Sequence, residues 1–313
     1  MCFSMKSGHS RFYAGLSNIV YEGKPFHLGH GVVLRSTYAH FFGPNLVAFA
    51  RASEGKHHPG PWRAARGGFG YDVEAELTVP TDRELPGSLS SEETIWLIAA
   101  LIRLARHPYV TVPVISNVPF EEAAMSKQES MFWPFETVPR MLRVNGAITL
   151  HLSKETLAWI KLVWSRTAVL IQSCPSLKNA LRSADFCTLE GRTSSALLAA
   201  WGALEELFSP SRNESRFRAS ANIAAYLEPV GPSRLKLFKS VKGLYDSRSK
   251  AAHTGKEIEA DALLQTFVIL RNALVKMIDE GTVPTQANLE DSLFCGGSSD
   301  DVDGHPSLFR TVS

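Results

Sequence analysis

The stretch Leu244-Tyr245-Asp246-Ser247-Arg248-Ser249-Lys250-Ala251-Ala252-His253-Thr254-Gly255 carries more information than any other in this chain. It reads as the final turns of a helix. Pro232 opens that helix at its first turn, where a missing N–H costs nothing. Leu235, Phe238, Val241 and Tyr245 form its apolar side, and Gly255 supplies a C-terminal cap. Arg248 and His253 stand five positions apart, about 140° of rotation on an ideal helix. They do not stack, but an arginine is long enough to bend toward a histidine near the helix end. The pair has a chemical sense. A guanidinium holds a phosphate by two parallel hydrogen bonds and keeps its charge at any working pH. An imidazole titrates near pH 6.5 and moves protons there. RNA carries its own nucleophile, the 2′-hydroxyl, so a base and a cation suffice to begin strand cleavage without metal. The leaving 5′-oxygen then needs an acid, which a second copy of the chain would supply.

Outward from this stretch, residues 151–280 read as helical throughout. Ser153 caps a helix running to about Gln172, which Pro175 breaks, and a short helix follows to about Ala184. Leu197, Trp201, Leu204 and Phe208 recur at i, i+4, i+7 and i+11, one stripe of a helix that ends at Ser209-Pro210. Further helices are expected over roughly 214–227, before Pro229, and along Leu263, Phe267, Leu270 and Leu274. The charge is uneven here. Residues 209–256 hold ten Lys/Arg and three acids, a balance of +7 within a chain whose total is +2. Such a concentration suits a phosphate-facing surface around Arg248, with solvated helix faces as the alternative.

The pattern Leu244-Tyr245-x-x-Arg248-Ser249-Lys250-x-x-His253-x-Gly255 resembles the HEPN superfamily, and within it the Apea-like HEPN group. Ala196-Leu197-Leu198-x-x-Trp201-x-Ala203-Leu204-Glu205-x-Leu207-Phe208 is similar to the earlier helix of that group. The resemblance covers about residues 150–280. It implies a bundle of four to six helices that forms homodimers, and metal-independent RNA endonuclease activity in antiphage defence or toxin-like systems. It implies Arg248 and His253 as the catalytic pair, with Ser249 in the assisting polar position and Glu205 as the acid of the earlier helix, placed to orient Arg248. The Asp or Asn of some members is absent at Ser249. Lys250, Lys242 and Tyr245 are the residues expected to bind phosphate or RNA beside them. The alternatives are a non-catalytic HEPN module that binds RNA, a nucleotide or a protein partner, and a helical interaction domain with no nucleic-acid role.

Residues 1–150 have a different texture. Short apolar runs at Ile19-Val20-Tyr21, Phe26 to Arg35, Asn45 to Arg51 and Tyr109 to Ile115 read as strands, and Phe69 to Val79 alternates as a half-buried strand. Ser90 or Ser91 caps a helix that carries Glu92 and Glu93 near its start, Arg103 and Arg106 at its end, and stops before Pro108. Residues 116–147, rich in proline and aromatics, give no assignable pattern. The fold class expected is α+β. A mixed α/β domain spans 1–150, an all-α HEPN-like bundle spans 151–283, and a disordered acidic tail spans 284–313.

Composition sets the outer bounds. With 313 residues, 44% hydrophobic and 20% charged, the chain can build two cores. A net charge of +2 excludes a global polycation. The longest apolar run, Ile95 to Ile102, is too short for a membrane span, and Met1 to Gly15 lacks the apolar core of a signal peptide. Cys2, Cys174, Cys187 and Cys295 are scattered, as suits idle thiols in a reducing cytoplasm. No cofactor or metal is expected. His27, His30, His57 and His58 lack the carboxylates or thiols of a metal site, and Arg66-Gly67-Gly68-Phe69-Gly70 reads as a turn more than an RNA-binding repeat. Trp62, Phe132 and Trp133 are aromatic enough to stack on bases, but core is their more ordinary role.

Overall fold

A computed structural model describes residues 10–41, 45–65, 70–105, 107–126, 129–138, 140, 150–209, 215–254 and 259–295. Contacts divide the chain into two compact units. The first is Met1–Pro175 with Thr188–Gly191, and the second is Ser176–Cys187 with Arg192–Ser313.

The first unit is built on an antiparallel sheet. Its strands are β1 (Arg11–Ser17), β3 (Phe26–Gly29), β4 (Val32–Phe41), β7 (Tyr71–Pro80), β8 (Thr111–Ser116) and β9 (Phe132–Pro134), in the order β3-β4-β7-β1-β8-β9. Two smaller pairs accompany it. β5 (Asn45–Ala48) pairs with β6 (Trp62–Ala65), and β2 (Ile19–Val20) runs parallel to β10 (Leu150–His151). The apolar run from Phe26 to Arg35, expected as one strand, folds instead as the hairpin β3–β4. Gly29, His30 and Gly31 all take positive φ at its tip, which two glycines make affordable. Helix α1 (Ser91–Leu104) begins with a reciprocal capping box, Ser90 Oγ accepting from the Glu93 amide and the Glu93 carboxylate from the Ser90 amide. Its Ile95, Ile98, Leu101 and Ile102 are buried with Phe12, Ala14, Leu16, Leu77 and Val79 of the sheet.

The boundary between the units falls later than the sequence reading placed it. Helix α2 (Lys154–Ser173), capped by Ser153 as expected, belongs to the first unit. Trp164 is fully buried and its indole N–H donates to the Leu28 carbonyl at 2.8 Å, tying α2 to β3. A 3₁₀ turn at Pro86–Ser88 lies against the same helix. Gly87 there has φ 64°, and a Cβ on it would stand 2.3 Å from the Ala168 carbonyl oxygen. Arg103 lies in the last turn of α1 as expected, and it is buried. Its Nη2 donates to both Glu136 oxygens at 2.6 Å and its Nε to the Val110 carbonyl at 2.8 Å. Arg140 adds a bond to Glu136 at 3.1 Å and contacts Thr188 Oγ1, so this charge cluster is satisfied on several sides. Arg106 lies outside the described residues.

The second unit is helical: α3 (Pro175–Cys187), α4 (Thr193–Phe208), α5 (Ser215–Leu227), α6 (Pro232–Thr254), α7 (Ala260–Glu280) and α8 (Gln286–Phe294). The stripe Leu197, Trp201, Leu204 and Phe208 is buried to 0% exposure, which makes α4 the centre of the bundle. Leu263, Phe267, Leu270 and Leu274 bury one face of α7, and Gly281 ends that helix in the left-handed region at φ 68°. Helices α5 and α6 form an antiparallel hairpin, bridged near its open end by the Arg216–Asp246 ion pair. The segment after residue 284, expected as disordered tail, begins with a helix. Thr285 and Asn288 form a capping box, and α8 buries Leu289 to 1% exposure, so ordered helix extends past residue 284. Residues 296–313 lie outside the described residues. The whole is α+β in class.

Candidate functional site

The site grows from α6. Its inner stripe is Val241, Leu244, Tyr245, Arg248 and Ala251, the i, i+3, i+4 pattern that turns toward the bundle. Tyr245 is 8% exposed and meets Trp201 of α4 edge-on, ring centroids 5.1 Å apart. One turn later Arg248 lays its guanidinium over the Tyr245 ring at 5.5 Å and donates from Nη2 to Glu205 Oε2 at 3.1 Å. The two side chains of that ion pair are 27% and 22% exposed, so both are half-buried. Glu205 can reach because it follows Trp201 by one turn of α4, beside the buried stripe. The structure thus brings together Glu205, Tyr245 and Arg248.

His253 is placed differently. It is exposed in the last turn of α6 and shares a stripe with Lys242, Asp246 and Ser249, not with Arg248. Among the described residues no hydrogen bond joins Arg248 to His253. The bend of Arg248 toward His253 that the spacing allowed is not taken, because Glu205 and the Tyr245 ring hold the guanidinium toward α4. Ser249 is half-buried and Lys250 exposed. Lys242 has its ammonium 5.9 Å above the Phe238 ring. Tyr245, grouped by sequence with the phosphate contacts, is a wall of the core that supports Arg248. Gly255 lies outside the described residues.

Sequence reading missed two features of this hairpin. Leu235, assigned to the apolar side of α6, is 53% exposed, and Phe238 beside it is half-buried. Phe217 on α5 is 61% exposed and meets Phe238 edge-on, centroids 5.6 Å apart. Arg216-Phe217-Arg218 gave no signal of this, since a helix places a buried aromatic between two exposed cations as readily as an exposed one.

Other sequence candidates lie elsewhere. His27 and His30 sit exposed in the β3–β4 hairpin, and His58 Nδ1 lies 2.8 Å from the Ala50 carbonyl. Among the described residues no three His, Cys, Asp or Glu side chains gather as metal ligands. Trp62 is 51% exposed and donates to the His58 and Pro59 carbonyls, each at 3.0 Å. Phe132 joins an aromatic cluster with Phe41 and Phe120, and Trp133 packs edge-on to Phe12. Residues 66–69 of the Gly-rich piece lie outside the described residues. Cys187 is buried, and burial pushes its thiol up to about 12, which leaves it protonated and inert. Among the described residues no helix is long and apolar enough to cross a membrane.

No protein-family model matches this chain, and no curated protein or solved structure matches it significantly.

Proposed function

We propose that the C-terminal unit is a HEPN-type, metal-independent endoribonuclease, of the kind that serves antiphage defence or toxin-like systems. The observation that carries this reading is the Arg248 guanidinium, fixed by Glu205 and the Tyr245 ring on the same helix that presents an exposed His253. A guanidinium at the scissile phosphate stabilises the negative charge that develops on its non-bridging oxygens. His253 takes the proton of the 2′-hydroxyl. The 2′-oxygen forms a bond to phosphorus as the bond to the 5′-oxygen breaks. The departing 5′-oxygen gains a proton from an acid, for which the exposed His253 of a second copy in a homodimer is suited. The products are a 2′,3′-cyclic phosphate and a 5′-hydroxyl. Incubation of the purified protein with RNA in EDTA tests this, with Arg248→Ala and His253→Ala alongside. Cleavage by the wild type that both variants lose supports the reading.

One observation favours a second reading, a non-catalytic HEPN module that binds RNA, a nucleotide or a protein partner. Arg248 is already engaged by Glu205, and it sits about 140° around α6 from His253. Binding of RNA that falls with salt, with no cleavage under any condition, would favour it.

A further inference from the structure

We infer that the α5–α6 hairpin carries a base-stacking clamp for single-stranded RNA, made by Phe217 and Phe238 within a cationic rim. The inference rests on the nuclease or RNA-binding reading above and names the form of substrate that the site takes. Phe217 is 61% exposed and Leu235 53%, an unusual outlay of apolar surface on one short hairpin. The two phenylalanine rings meet edge-on at 5.6 Å, and Phe217 stays 61% exposed in that contact. Lys242 stands over the Phe238 ring, and Arg216 is held at the surface by Asp246. Across 215–254 there are eight Lys/Arg and only two carboxylates, Glu228 and Asp246.

Charge selects the occupant. A protein interface of this character would deplete lysine at its core, whereas here Lys242 stands over the Phe238 ring and Lys239, next in sequence, is exposed. A single strand of RNA satisfies both halves of the surface. Its bases are unpaired and can stack on aromatic faces, and its phosphates meet the rim. A duplex hides its base faces and satisfies only the rim. The geometry also connects the clamp to the chemistry. Lys242, Asp246, Ser249 and His253 lie on one stripe of α6, and Phe238 adjoins its start. From Phe238 to His253 the helix rises about 22 Å, several nucleotides of strand. A strand gripped at Phe217 and Phe238 therefore runs along the exposed face of α6 toward His253.

The test is fluorescence anisotropy of a labelled single strand of about twelve nucleotides, using the full chain with His253→Ala to prevent turnover. Phe217→Ala combined with Phe238→Ala is expected to weaken binding about five- to hundredfold. Phe217→Trp is expected to retain binding, and a strand made abasic is expected to bind equally poorly to both proteins. Circular dichroism of the variants checks that the hairpin stays helical. Equal affinity of the double variant and its parent for the intact strand would overturn the clamp. So would a change from dimer to monomer with RNA affinity unchanged, which would make this face a contact between copies. Wild-type cleavage in EDTA is followed separately. Its persistence in the Phe217/Phe238 variant with unchanged affinity would refute the clamp while leaving the nuclease standing, and its absence with clamp-dependent binding would do the reverse.

Discussion

Removal of the Glu205 carboxylate is the sharpest structural test of how Arg248 is held. The pair is separated by 3.1 Å, and its side chains are 22% and 27% exposed. At an effective dielectric of about 20 the bare attraction at that distance is about 5 kcal/mol, before the cost of desolvating both groups. Fully exposed pairs are worth up to about 1 kcal/mol, and loss of one partner of a fully buried pair costs about 3–5 kcal/mol. This pair lies between. Arg248 Nε is already buried without a hydrogen-bond partner, so the guanidinium has little spare solvation to lose. Glu205→Ala is therefore expected to cost about 2 kcal/mol, and Glu205→Gln about half that, since the amide oxygen still accepts. Because the chain has two units, the loss should be read locally, as faster amide hydrogen exchange along α4 and α6 and not along α1. A double-mutant cycle with Arg248→Met isolates the coupling, expected at about 1–2 kcal/mol. Coupling within about 0.3 kcal/mol of zero would mean that Glu205 does not hold Arg248, and the account of a fixed phosphate-binding cation would fail.

Three further outcomes follow from the fold. Gly87→Ala forces a left-handed alanine and a Cβ against the Ala168 carbonyl, so the first unit should lose about 2 kcal/mol or more in thermal unfolding; an unchanged melt would refute the seating of the 3₁₀ turn on α2. His107 is 7% exposed, and burial pushes its imidazole below the ordinary 6.5. The unfolded chain then binds the proton more readily than the folded one, so stability is full above 6.5 and falls as pH drops through that value toward the folded pKa. His107→Leu should flatten that slope in urea titrations at several pH values, and an unchanged slope would refute it. Leu289→Ala should destabilise the second unit by about 2 kcal/mol, measured by denaturant unfolding, whereas a dispensable tail would tolerate it.

Periodicity over long helices was legible in the sequence. The stripe from Leu197 to Phe208 and the four apolar positions from Leu263 to Leu274 lie where a period of 3.6 puts them, all buried. Caps were legible too, at Ser90 and Ser153, because the local hydrogen bond depends on near neighbours alone. What failed was long-range. Helix α2 has the pattern of a bundle helix, yet Trp164 commits it to the sheet through a carbonyl 136 residues away. Glu136 gave no signal, since its meaning depends on Arg103, 33 residues upstream. The acids around α8 suggested disorder, but one buried leucine and a capping box are enough for a short packed helix. At the site, the nearness of Glu205 to Arg248 was expected from the family resemblance. The exposure of Phe217 and Leu235 was not, because large apolar side chains on an amphipathic helix are ordinarily core.

The measurement that tests the central claim most directly is cleavage of a short RNA in EDTA, with its ends identified by mass spectrometry and with a companion strand blocked by 2′-O-methyl groups. The account predicts 2′,3′-cyclic phosphate and 5′-hydroxyl ends from the unmodified strand, no cut in the blocked strand, and no cut by His253→Ala. Cleavage of the blocked strand, or undiminished cleavage by His253→Ala, would contradict it.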